Sequence, residues 1–105
     1  MTVYAVERSL PGITIGALAG AQAAAIGAAA QCSAEGMPVR YLRSVFLPGD
    51  NRCLCLFEAA DAQAVRQVND RAGLPYLAVS EALDLPAPAP APAPAPSQAG
   101  SAPPA

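Results

Sequence analysis

Cys53 and Cys55 stand one residue apart and are the closest pair of soft donors in the chain. On an extended strand, residues two apart point to the same face with their backbones nearly ~7 Å apart, at or beyond comfortable disulfide reach. They therefore read as free thiols that could offer two ligands to a thiophilic metal, with Cys55 the candidate metal ligand. The plainer alternative is that both are small buried hydrophobes. A second set of polar residues lies at expected strand ends: Glu7 and Arg8, Tyr41 and Ser44, and Glu58. If the strand ending at Glu58 runs parallel to the one ending at Arg8, two carboxylates and a guanidinium gather at one end. General acid–base work by Glu7 or Glu58 would require burial of the carboxyl. The simpler role for Arg8 is a partly solvated ion pair with Glu7, Glu58 or Glu81. Tyr41 can act as a hydrogen-bonding wall or as packing with a wet hydroxyl. By strand parity Tyr41 and Ser44 fall on opposite faces, so only one of them faces a given cavity.

Other chemistries are excluded by composition. The chain has no histidine and no tryptophan, and its six basic residues are all arginine. No Ser-His-Asp or Cys-His arrangement, Gly-rich phosphate loop or histidine metal motif is present, so a nucleophile has no visible base. Six arginines against eight carboxylates, a net charge of −2, leave no basic cluster to neutralise a row of phosphates, and nucleic acid is not an expected partner. The all-Arg, Ala-rich usage suggests a GC-rich bacterial gene. A charged start followed by an apolar core is not visible at the N-terminus, so a cytoplasmic protein with reduced thiols is expected. Residues 13–32 are mild and apolar but consist mostly of Ala and Gly, without the Leu/Ile/Val density of a membrane span. The Gly16-x-x-x-Gly20 spacing within them reads as permitting close helix–sheet contact.

The elements that must position these residues follow from periodicity. Residues 2–8 form a strand ended by the Pro11-Gly12 turn. Thr14 caps a helix running to about Glu35, closed by Gly36 and Pro38, with Leu18, Ala21, Ala25, Ala29 and Cys32 as its buried stripe. Gln22 lies beside that stripe and needs a partner or an edge. Residues 39–47 and 52–59 are β-rich runs joined through Pro48-Gly49-Asp50-Asn51 as a hairpin. Asp61 caps a second helix carrying Val65, Val68 and Ala72, closed by Gly73, and residues 76–85 form the last strand. The order βαββαβ is that of an α+β ferredoxin-like fold: a four-stranded antiparallel sheet, strands one and three central, with two helices on one face. The third strand is apolar on both faces, so the uncovered side calls for a second subunit, as in a dimeric α/β barrel, with a cavity possible between the two. Residues 1–85 make the domain. Residues 86–105 hold eight of the twelve prolines and read as a disordered Pro-Ala tail, a semi-rigid spacer in extended polyproline geometry.

Glu7-Arg8 followed by Leu10-Pro11-Gly12, then Tyr41-x-x-Ser44, Cys55-x-x-Glu58-Ala59 and Ala72-Gly73-Leu74-Pro75, in that order, resemble a family of small bacterial ferredoxin-like domains of unknown function labelled nickel-binding protein-like. The resemblance spans residues 3–85. It implies a ferredoxin-like homodimer and brings in nickel as a candidate ion. Imidazole is a preferred ligand for that metal, so in this chain such a site would rest on Cys55, Glu7, Glu58 or backbone groups. Tyr41 stands where the family carries tryptophan, a departure that changes pocket volume more than chemistry.

The leading expectation is a homodimer that binds a small molecule, or second to that a metal ion, using Glu7, Arg8, Tyr41, Ser44, Cys55 and Glu58. One alternative is a cofactor-free enzyme, an oxygenase or isomerase acting on an apolar metabolite between subunits, with the carboxylates moving protons. Another is an adaptor whose domain only dimerises the Pro-Ala arm.

Overall fold

The computed structural model describes residues 1–88 of the chain; residues 89–105, which hold most of the expected tail, lie outside the described residues. The elements are β1 (Thr2–Ser9), α1 (Ile15–Ala34), β2 (Val39–Leu47), a short 3-10 turn (Pro48–Asp50), β3 (Arg52–Ala59), α2 (Ala62–Ala72) and β4 (Ala78–Ala82). The strands form one sheet in the order β2-β3-β1-β4, all neighbours antiparallel, and the fold is ferredoxin-like. The antiparallel β1–β3 pairing corrects the expectation that these two strands run parallel.

Local chemistry sets the element ends. The Thr14 hydroxyl accepts from the Ala17 amide at 3.0 Å and the Asp61 carboxylate from the Ala64 amide at 3.0 Å, each satisfying one of the free donors of a first helical turn. Gly73 closes α2 at φ 70°, a left-handed backbone that favours glycine. The β2–β3 connection turns at Asn51, φ 53°, another residue type that tolerates that region. The last strand is shorter than residues 76–85. It pairs with β1 from Glu7–Ala78 to Val3–Ala82, and beyond Ala82 only the first two residues of the chain remain on β1's side.

β3 reads buried at every second position, Cys53, Cys55, Phe57 and Ala59, and these side chains meet both helices. Val6 of β1, Val39 of β2, Ala25, Ala28, Ala29 and Cys32 of α1, and Ala64, Val65 and Val68 of α2 complete the core. The close approach of α1 to the sheet is made by alanines rather than glycines: Gly16 and Gly20 are exposed and a Cβ on either would meet open space. Leu18 and Ala21 are half-buried. By length and mean hydropathy (1.3) α1 could cross a membrane; in the fold its alanine face lies against the sheet. The opposite sheet face carries Val3, Ala5, Leu54, Leu56 and Val45, the last 46% exposed. Around it run three ion pairs, Arg40–Glu58, Arg52–Glu7 and Arg43–Asp84.

Candidate functional site

Under α1, on the inner face of the sheet, lies a cavity of about 10 Å³ lined by Arg8, Gln22, Tyr41, Ser44, Cys53 and Cys55 with apolar neighbours. It has room for roughly one water. Every one of these side chains is aimed inward by its place in the sheet or helix. In the ladder Arg8 stands opposite Cys53 and Val6 opposite Cys55, while Ser44 flanks Cys55 from the other side.

Ser44 reaches Cys55 because β2 does not keep strict alternation. Tyr41 pairs with Phe57 and Arg43 with Leu56, leaving Leu42 as an extra residue in a bulge. A bulge shifts the side-chain phase by one, so Tyr41 and Ser44 share the inner face, against the parity expectation. Their hydroxyl oxygens are 2.7 Å apart, and the Tyr41 ring packs edge-on against Phe57 at 5.5 Å. Gln22 finds its partner here.

The hydrogen bonds form a directed chain. Gln22 Nε2 donates to Tyr41 Oη at 2.8 Å, and Ser44 Oγ donates to Cys55 Sγ at 3.0 Å. A serine has a single proton to give, so Tyr41 donates to Ser44. The chain ends at the thiol pair, Cys55 Sγ and Cys53 Sγ, 3.8 Å apart. All three cysteines are free and buried. Burial pushes the Cys53 thiol up to about 11, with the neighbouring Cys55 adding in the same direction, so the resting Cys53 is protonated near neutrality.

Arg8 is 2% exposed, far more buried than a strand-end ion pair would be. It meets none of the three carboxylates expected of it. Its Nη1 donates to the carbonyls of Pro75 (3.1 Å) and Leu74 (3.4 Å), and its Nη2 to Asn69 Oδ1 at 2.7 Å. Asn69, fully buried, is locked in turn by donating to the Val65 carbonyl at 2.8 Å. These acceptors sit at and just past the C-terminal end of α2, where the helix dipole favours a cation. Among the described residues no carboxylate pairs with Arg8.

Glu7 and Glu58 lie elsewhere. Both occupy the open face of the sheet, Glu7 opposite Leu54 and Glu58 opposite Val3, four positions or about 13 Å apart along the strand. Each is tied to an arginine, Glu7 to Arg52 and Glu58 to Arg40, at 3.0 Å. The expected gathering of two carboxylates with Arg8 is therefore corrected: an antiparallel β1–β3 ladder separates the carboxylates, and strand alternation turns Glu7 away from Arg8. Sequence reasoning missed Asn69, although its spacing of four from Val65 already marked a polar side chain on a buried helix face.

A second depression, an open groove of about 430 Å³, runs between α1 and the edge strand β2, its lining mostly apolar (Ile26, Ala29, Ala30, Pro38 and Val39) with Ser33, Tyr41 and the Arg40–Glu58 pair as its polar members. Tyr41 lines both the groove and the buried cavity.

The model of a family described as nickel responsive protein SCO4226-like matches residues 4–81. In three dimensions the chain is similar to SCO4226 from Streptomyces coelicolor A3(2), known from a crystal structure: the TM-score is 0.68, with 24% identity over 81% of this chain and 99% of that one. No curated protein sequence matches the chain.

Proposed function

As the chain belongs to the SCO4226-like family of nickel responsive proteins, we propose that it is a homodimeric binding protein that takes a small, largely apolar molecule in the groove between α1 and β2. The observation that carries this reading is the groove itself. Its volume, about 430 Å³, is that of a small-molecule site, and an apolar lining with a few polar groups is the usual composition of one. Tyr41 gives it a wall fixed from behind by Gln22 and Ser44, so the site is pre-formed.

The homodimer is supported by the apolar open face of the sheet, through which two copies would pair. Leu54, Leu56 and Val45 would be removed from water at the centre, and the three rim ion pairs would surround them, the usual anatomy of an interface. The groove takes in Arg40 and Glu58, so one end of it meets the rim of such a dimer.

Nickel, which the family description names, does not fit the residues of this chain. Nickel(II) favours square-planar or tetragonal arrays of nitrogen and oxygen donors, imidazole among them. The chain has no histidine, and among the described residues no three His, Cys, Asp or Glu side chains converge. The carboxylates facing the open side are tied to arginines.

Native mass spectra of protein purified without added metal test the proposal. The expected result is a dimer carrying an organic mass, with Leu56→Arg giving a monomer. Titration with the apolar dye anilinonaphthalene sulfonate is expected to show one site per chain, weakened at least about tenfold by Ala30→Trp, which fills the groove. A monomeric protein, or dye binding indifferent to Ala30→Trp, overturns it.

A further inference from the structure

Arg8 is a buried guanidinium without a counter-ion among the described residues, and taking a charge out of water is costly unless an opposite charge or a full set of hydrogen bonds replaces the solvent. Carbonyls and the Asn69 amide supply hydrogen bonds but no compensating charge. The groups beside it that can become anions by losing a proton to a metal are Cys53, its ladder partner, and Cys55.

We infer that Cys53 and Cys55 together bind one monovalent thiophilic cation, copper(I) or silver(I), with Arg8 as the charge that completes the site. Thiolates select such ions over harder ones. The charge count selects the valence. Two thiolates, one monovalent cation and one guanidinium sum to zero, whereas a divalent ion would leave a buried positive charge. In the binding step two S–H bonds are broken and two sulfur–metal bonds form; both protons leave to solvent, and neither metal nor sulfur changes oxidation state.

The geometry needs little change. Metal–thiolate bonds of about 2.3 Å, the length zinc thiolates show, would in line set the sulfurs roughly 4.6 Å apart, against 3.8 Å in the free pair, and the small cavity that Cys53, Cys55 and Arg8 all line leaves the sulfurs space to part. Ser44 Oγ, already donating to Cys55 Sγ, orients that sulfur from outside the bond to the metal, as outer-shell donors do. Entry is from the Cys55 side, the less buried of the two at 7% exposure.

The test is anaerobic titration of the full chain with copper(I) held in competition by the chelator bathocuproine disulfonate. One ion per chain is expected, its affinity reduced at least about 100-fold in Cys55→Ala and about tenfold in Arg8→Gln, and unchanged in Cys32→Ala. X-ray absorption at the copper edge of the unmodified protein guards against variants that fail to fold, and it is expected to report two sulfur neighbours. A chain that cannot compete with the chelator, a copper shell of nitrogen and oxygen, binding retained without Cys55, or equal affinity for zinc(II) overturns the inference.

Discussion

Arg8 shows how one side chain can be read correctly for type and wrongly for place. A charged residue at a strand end is usually solvated, so its position in the sequence points to carboxylate partners. The alternation of Tyr4, Val6 and Arg8 nevertheless puts it on the same face as buried Val6, and that face leads to Asn69 and the end of α2. The Cys53 thiol beside it is governed by the same burial. A thiol held at about 11 in the fold, against 9.0 ordinarily, binds its proton more tightly folded than unfolded. Its contribution to stability is therefore full below about pH 9 and is lost as the pH rises through about 11. Denaturant unfolding of the metal-free protein is expected to show falling stability across that interval, with a visibly flatter fall in Cys53→Ala; parallel pH curves would contradict it.

At the level of elements, both helices, their caps and the β2–β3 hairpin were legible, because Thr14, Asp61, Gly73 and the Pro48–Asn51 turn are local signals that need no tertiary information. The phase of β2 was not. Nothing in the residues around Leu42 announces a bulge, and parity counted through it separates Tyr41 from Ser44, whereas the ladder brings them within 2.7 Å. Leu42 is the one residue of β2 that the ladder skips, so with it deleted Tyr41 and Arg43 become neighbours and the pairs Tyr41–Phe57, Arg43–Leu56 and Ser44–Cys55 run on without interruption, every side chain keeping its face. We expect the deletion to cost no more than about 1 kcal/mol, as read from chemical denaturation; a loss of about 3 kcal/mol or more would mean that Leu42 itself, and not the count of paired residues, holds the phase.

For the whole molecule, the sheet order and the apolar outer face of β3 followed from the alternation of elements and from hydrophobic residues at successive positions, Cys53 to Phe57. The position of the carboxylates did not, since it depends on strand direction, which a wrong parallel pairing inverted. The finished fold also places two hollows back to back, one open and one closed, with Tyr41 as part of both walls. Its hydroxyl is committed at once to Gln22 and Ser44, so anything that moves this ring from one side is felt on the other. Such a partition makes the two occupancies thermodynamically linked, and linkage is reciprocal. The factor by which copper(I) changes the affinity for the dye must equal the factor by which the dye changes the affinity for copper(I), and in Tyr41→Ala both factors are expected to fall toward one.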